Sequence, residues 1–210
     1  AYFGHLNMKS GIWGAPNKNK IFEKAETGTF EEAIHYCQEG GHIVNGSFGL
    51  NHTREFPFIV EEFINYLKNK QNFDFNTAPI KFCEVPFSSP NVTVLSNNRL
   101  ISPEFLYKLI IALRIQDHVN LHQATVVEIG AGLGTLSRCI KLLHPTVNYA
   151  IIDLPETLFF AYIFLRASFP EAKILYVVNQ NQLIEIDQTK YDFIFIPARL
   201  ATALPKGLRV

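Results

Sequence analysis

Apolar positions along this chain recur with two periods, and the change falls near residue 120. From Ala1 to about Asn120 the spacing is mostly helical, with long irregular connections. In "TGTFEEAIHYCQEGG" Thr29 can cap a first turn, and Glu32 three residues on can reach back to complete a capping box. Gly40 and Gly41 suit the end of that helix. "EFPFIVEEFINYLKNK" places Phe58, Ile59, Phe63, Tyr66 and Leu67 at helical spacing, with Pro57 in the first turn. "SPEFLYKLIIALRI" opens with Ser102 as N-cap and Pro103 as the first helical residue. Turn-rich stretches separate these helices, and "NVTVL" reads as a short strand.

From about Leu121 the pattern alternates between short apolar runs and helical segments. "TVVEIG", "NYAIIDLP", "KILYVV" and "YDFIFIP" read as strands; "TLSRCIKLLH" and "ETLFFAYIFLRASF" read as helices. Strands that are apolar throughout and separated by helices indicate a parallel sheet buried on both faces. The expected fold class is therefore α/β, a Rossmann-like, doubly wound, mostly parallel sheet over 121–210. A mainly helical region over 1–120 precedes it.

The stretch "VVEIGAGLGTLS" puts three glycines where the first of these strands turns into a helix. Ligands of such folds bind at the carboxyl ends of the strands. Glycine there admits positive φ and lets a ligand approach the main chain without meeting a Cβ. The following helix points its N-terminus at the same place. "YAIIDLPET" ends the next strand in Asp153, a carboxylate suited to ribose hydroxyls. Together these point to a nucleoside-containing ligand. The spacing G-x-G-x-G differs from the dinucleotide fingerprint G-x-G-x-x-G, whose third glycine is replaced here by Thr135. Glu128, two residues before the first glycine, would repel a pyrophosphate and favour a cationic ligand.

Glu128-x-Gly130-x-Gly132-x-Gly134 resembles the first motif of S-adenosylmethionine-dependent methyltransferases. "VVEIGAGLGTLS", then "YAIIDLPETLFFAYIFL", then "YDFIFIP" resembles, more closely, the bacterial sugar O-methyltransferase family. "NRLISPEFLYKLIIALRI" and "GSFGLN" fit the same family less specifically. The resemblance implies methyl transfer from S-adenosyl-L-methionine to a hydroxyl of a sugar, sugar nucleotide or polysaccharide acceptor. It also implies a helical N-terminal part that helps to build the acceptor site. The expected cofactor-binding residues are Glu128, Gly130, Ala131, Gly132, Gly134, Asp153 and Leu154. Two alternatives stay open, an NAD-dependent oxidoreductase and a non-catalytic binding module on a methyltransferase fold.

A sugar hydroxyl needs a proton acceptor before it attacks. His42, His52, His118 and His122 are the candidates, although each reads first as a solvated loop residue. His118 and His122 stand four apart, but no third ligand accompanies them, and no metal is assigned. Asn179 and Gln180, after the third strand, are placed to edge an adenine.

Composition narrows the partners. The chain has 210 residues, formal net charge +0 and 48% hydrophobic residues. Balanced charge argues against a dedicated nucleic-acid binder, and no apolar run reaches the length of a membrane span. Cys37, Cys83 and Cys139 are scattered and form no C-x-x-C pair, so a reduced, cytoplasmic protein is expected. The strand count adds a further expectation. Val126–Ile129, Tyr149–Asp153, Lys173–Val178 and Asp192–Ile196 make about four strands, while the resembled family builds a larger sheet. Leu208 and Val210 look like the start of another strand, so the 210 residues are expected to behave as a fragment.

Overall fold

The computed structural model describes residues 29, 32, 56–85, 94–96 and 99–203. At its start the Thr29–Glu32 capping box is formed: the Glu32 N–H donates to Thr29 Oγ1 at 3.3 Å, and the Thr29 N–H to Glu32 Oε2 at 2.7 Å. Gly40, Gly41, His42, His52, Leu208 and Val210 lie outside the described residues, so the helix end and the extra strand expected there do too.

Helix α1 spans Phe56–Gln71 and buries Val60 and Leu67. Phe58, expected on the apolar face, points outward instead. A connection rich in phenylalanine follows, in which Phe73 packs edge-on against Phe75 and Phe82. Strands β1 (Val94–Ser96) and β2 (Arg99–Ile101) pair antiparallel as a separate ribbon. The "NVTVL" segment therefore supplies a strand, but not to the main sheet. Helix α2, Pro103–His118, starts as its sequence predicts: Ser102 Oγ accepts the Phe105 N–H at 3.0 Å, and Pro103 follows.

The main sheet comprises β3 (Thr125–Ile129), β4 (Asn148–Asp153), β5 (Ile174–Tyr176) and β6 (Phe193–Pro197), all parallel, in the order β3-β4-β6-β5. Helices α3 (Thr135–Leu143) and α4 (Pro155–Ser168) connect the first three. A short α5, Gln180–Ile184, which the apolar periodicity does not announce, leads towards β6. A 3-10 turn over Ala198–Ala203 follows β6.

Alternation along the strands builds two cores. Tyr149, Ile151, Phe193 and Phe195 join Cys139 and Ile140 of α3 and Leu158, Ala161 and Leu165 of α4. That core runs on without a break into Phe105, Leu106 and Leu109 of α2 and Leu67 of α1, across residue 120. Ala150, Ile152, Ile194 and Ile196 face the other way, against Leu183 of α5 and Leu200 of the 3-10 turn. So α3 and α4 cover one face, and α5 and the 3-10 turn cover the other. This is an α/β architecture with a parallel sheet flanked by helices.

The sheet is pinned at its amino end by a buried lysine. Lys141 Nζ donates to Val147 O at 2.6 Å and pairs with Asp192 Oδ1 at 2.7 Å, linking α3 to the entries of β4 and β6. Burial drives the Asp192 carboxyl up, but its bonds to Lys141 and to the Lys173 N–H outweigh that and hold it below the ordinary value. Among the described residues β3 has no second strand neighbour, and Ile129 at its carboxyl end is 79% exposed. No helix among the described residues is long and apolar enough to cross a membrane.

Candidate functional site

The glycine turn leaves β3 at the carboxyl edge of the sheet. Gly130, Gly132 and Gly134 have φ of 78°, 60° and 88°, all in the left-handed region. A residue with a Cβ loses roughly 1–2 kcal/mol there, so the backbone path itself requires these residues. They differ in what lies beside them. A Cβ on Gly134 would come within 3.1 Å of Leu165 Cδ1, so Gly134 also serves helix packing. A Cβ on Gly130 would meet nothing within 4 Å. The main chain at Gly130 thus borders open space.

Gly134 is the N-cap of α3 and offers no side-chain acceptor, so the positive end of the helix faces the turn uncapped by any side chain. Asp153, the last residue of β4, meets the turn from the neighbouring strand. Its Oδ2 accepts the Gly132 N–H at 3.1 Å, and its Oδ1 accepts the Leu154 N–H at 2.7 Å. A carboxylate offers about four acceptor sites, so two protein bonds leave capacity for a ligand.

Glu128 has a different setting. Its Oε2 accepts Ser137 Oγ at 2.8 Å and Tyr149 Oη at 2.9 Å, which ties β3 to α3 and β4. Burial and the adjacent Glu128 carboxylate push the Tyr149 hydroxyl far above its ordinary range, so it remains a donor. Ala131 is buried in the core and offers a ligand only its main chain. Leu154 is the N-cap of α4. The seven expected residues thus fall into one continuous arc from the end of β3 to the start of α4.

The two candidate bases among the described residues, His118 and His122, do not join it. His118 ends α2 and His122 lies in the connection entering β3, both at the amino end of the sheet. His144, the remaining described histidine, follows α3 at that same end. Asn179 is engaged within its own turn. Its Oδ1 accepts the Gln182 N–H at 2.9 Å, and Gln182 Oε1 accepts the Val178 N–H at 3.0 Å. This reciprocal cap turns the chain into α5 and shortens the strand expected over "KILYVV". Asn179 and Gln180 follow β5, with β6 lying between β5 and β4. Among the described residues no group of three or more histidine, cysteine or acidic side chains could hold a metal.

The chain matches no family model, no curated protein and no solved structure.

Three residues that sequence reasoning did not single out stand at the same carboxyl edge. Glu156, in the first turn of α4, is 5% exposed. Tyr176 ends β5, with its ring stacked on Phe195 at 6.2 Å. Its hydroxyl is buried and makes no hydrogen bond, an omission that costs roughly 1–3 kcal/mol. Arg199, just beyond β6, is exposed. Burial pushes the Tyr176 hydroxyl well above its ordinary range; Arg199 opposes the shift and Glu156 adds to it. The available signals were Glu156 directly after a strand-end acid and proline, and Arg199 directly after an apolar strand.

Proposed function

We propose that this chain is an S-adenosyl-L-methionine-dependent O-methyltransferase on a Rossmann-like fold, acting on a hydroxyl of a sugar, sugar nucleotide or polysaccharide. The observation that carries the reading is the open space at Gly130, beside a strand-end Asp153 that is bonded to Gly132 yet keeps acceptor capacity. A nucleoside lying across the turn would place its ribose hydroxyls on Asp153. The main chain of Gly130 to Gly134 and the start of α3 would border the rest of the cofactor, which supplies an activated methyl group.

Glu128 acts on the turn in this reading. Held by Ser137 and Tyr149, it fixes the direction in which β3 delivers the glycines and lends negative potential to a cationic ligand. Positioning of donor and acceptor then contributes much of the rate. The test is calorimetry of the 210-residue chain with S-adenosylhomocysteine and, separately, NAD. Saturable binding of the first, lost in Gly130→Val, is expected. Binding of NAD in preference would sink the proposal.

A further inference from the structure

The strand order marks a second candidate binding place that the glycine turn alone does not explain. After β4 the chain passes into α4 on one face of the sheet; after β6, which is next to β4, it passes into the 3-10 turn on the other face. Adjacent strands whose exits part to opposite faces leave a cleft outside their carboxyl ends, where open α/β sheets bind ligands. The β3 and β4 exits both go to the α3/α4 face, and the β5 and β6 exits both go to the other. The β4–β6 junction is therefore the one parting point in the described sheet.

The polar residues around that junction form a graded set. Asp153 and Glu156 stand on the β4 side, Arg199 on the β6 side, and Tyr176 ends the strand beyond β6. Asp153 is tied to the glycine turn. Tyr176 has a buried hydroxyl with no acceptor, a donor for which the fold gives no use. Arg199 follows β6, the strand that pairs with β5, and Glu156 opens α4 at the same edge of the sheet; the two charges act on that hydroxyl in opposite senses.

We infer that the β4–β6 crevice is the acceptor subsite, and that Arg199, Tyr176 and Glu156 select a hydroxylated acceptor carrying an anionic group, a carboxylate or a phosphate. Arg199 pairs with the anion, for which a guanidinium is well shaped. The Tyr176 hydroxyl donates to an acceptor oxygen, and Glu156 accepts from an acceptor hydroxyl. The assignment rests on the methyltransferase reading for what lies at the neighbouring glycine turn, but its recognition chemistry is testable separately.

The experiment uses saturation-transfer NMR titrations of the 210-residue chain with glucuronate, glucose 6-phosphate and glucose, with and without S-adenosylhomocysteine. At least one acidic sugar is expected to bind roughly tenfold tighter than glucose, as fits a charge-assisted contact. Arg199→Ala, at an exposed position, should abolish that preference, so that acidic sugars bind no tighter than glucose. Tyr176→Phe should weaken all the sugars that bind. Equal binding of the three sugars, or a preference that survives Arg199→Ala, overturns the subsite. If the acidic preference is present and Arg199-dependent but S-adenosylhomocysteine does not bind, the subsite stands and the methyltransferase reading fails. The two acidic probes separate a carboxylate from a phosphate acceptor.

Discussion

The Gly132 N–H donates to Asp153 Oδ2 at 3.1 Å, so the acid that ends β4 also holds the turn that leaves β3. One carboxylate thus joins two strand ends at the mouth of the candidate site. The bond makes Asp153 an anchor of the turn, a role its sequence position does not announce, beside the ribose contact proposed for it.

Asp153→Ala removes the anchor and, in the proposed reading, the ribose contact as well. Its bonds to Gly132 and Leu154 are charge-assisted, and such bonds contribute roughly 1.5–3 kcal/mol. Urea denaturation should show a loss near the lower end of that range, since the site is only partly buried. S-adenosylhomocysteine affinity should fall by a similar amount. Unchanged affinity in calorimetry would remove Asp153 from the ligand site and leave it as an anchor.

Gly130 and Gly134 should separate binding from folding. Gly134→Ala forces a Cβ to within 3.1 Å of Leu165 Cδ1 on top of an unfavourable φ, so the strain of roughly 1–2 kcal/mol is joined by a packing cost. Gly130→Ala meets nothing and carries the φ strain alone. Chemical denaturation should rank Gly134→Ala as the less stable variant. Ligand binding should be lost in Gly130→Ala despite its better stability. The reverse ranking would mean that the turn relaxes freely and that the Leu165 contact is unimportant.

What could be read from the chain alone was what local chemistry decides. The caps at Thr29–Glu32 and Ser102 formed as expected because each is a bond within one turn. The four strands and the glycine turn were legible from apolar runs and from glycines whose positive φ no neighbour sets. Strand order was not legible. Nothing within "YDFIFIP" says that it pairs with β4 rather than at an edge, because both faces of that strand are apolar in either place. The outward turn of Phe58 and the amino-end position of His118 and His122 are likewise tertiary facts. The α5 cap, in contrast, was present as Asn179 followed by Gln182 but masked by the apolar run before it. Glu156, Tyr176 and Arg199 come together only through the crossing of β4 to β5 over β6.

Ser102→Ala tests the junction between the β1–β2 ribbon and α2. Ser102 Oγ caps α2 through the Phe105 N–H and also donates to the buried Glu84 carboxylate. Loss of an N-cap costs about 1 kcal/mol, and loss of a bond to a buried charged group adds roughly 1–3 kcal/mol. The variant should lose about 2–4 kcal/mol in thermal or urea unfolding. Ser102→Thr, which keeps the hydroxyl, should recover most of it. A loss below about 1 kcal/mol would mean that Glu84 draws nothing from this bond.

The Lys141–Asp192 pair should give acid unfolding a recognisable component. Lys141 is buried, and its removal would leave Asp192 without its closest cation; such breaks cost about 3–5 kcal/mol when both charges are buried. Asp192 is about a third exposed, so Lys141→Ala should cost less than that range at neutral pH. The sign of the pH dependence follows from the lowered Asp192 value. The unfolded aspartate binds a proton near 3.8, while the folded one resists it to lower pH. The stabilisation is therefore complete above about pH 5 and is lost as pH falls through 3.8 and below. His144 adds a smaller contribution in a separate window. Burial lowers its value from 6.5, so its share of stability is present above that pH and declines as pH falls beneath it. Thermal unfolding from about pH 7 to about pH 3 should thus show a shallow decline starting near 6.5 and a steeper one below about 5. Asp192→Asn should flatten only the second, and His144→Gln only the first. If Asp192→Asn leaves the low-pH limb unchanged, the pair does not anchor the amino end of the sheet, and the limb belongs to the half-buried Asp74 and the exposed Asp187, whose values are also lowered.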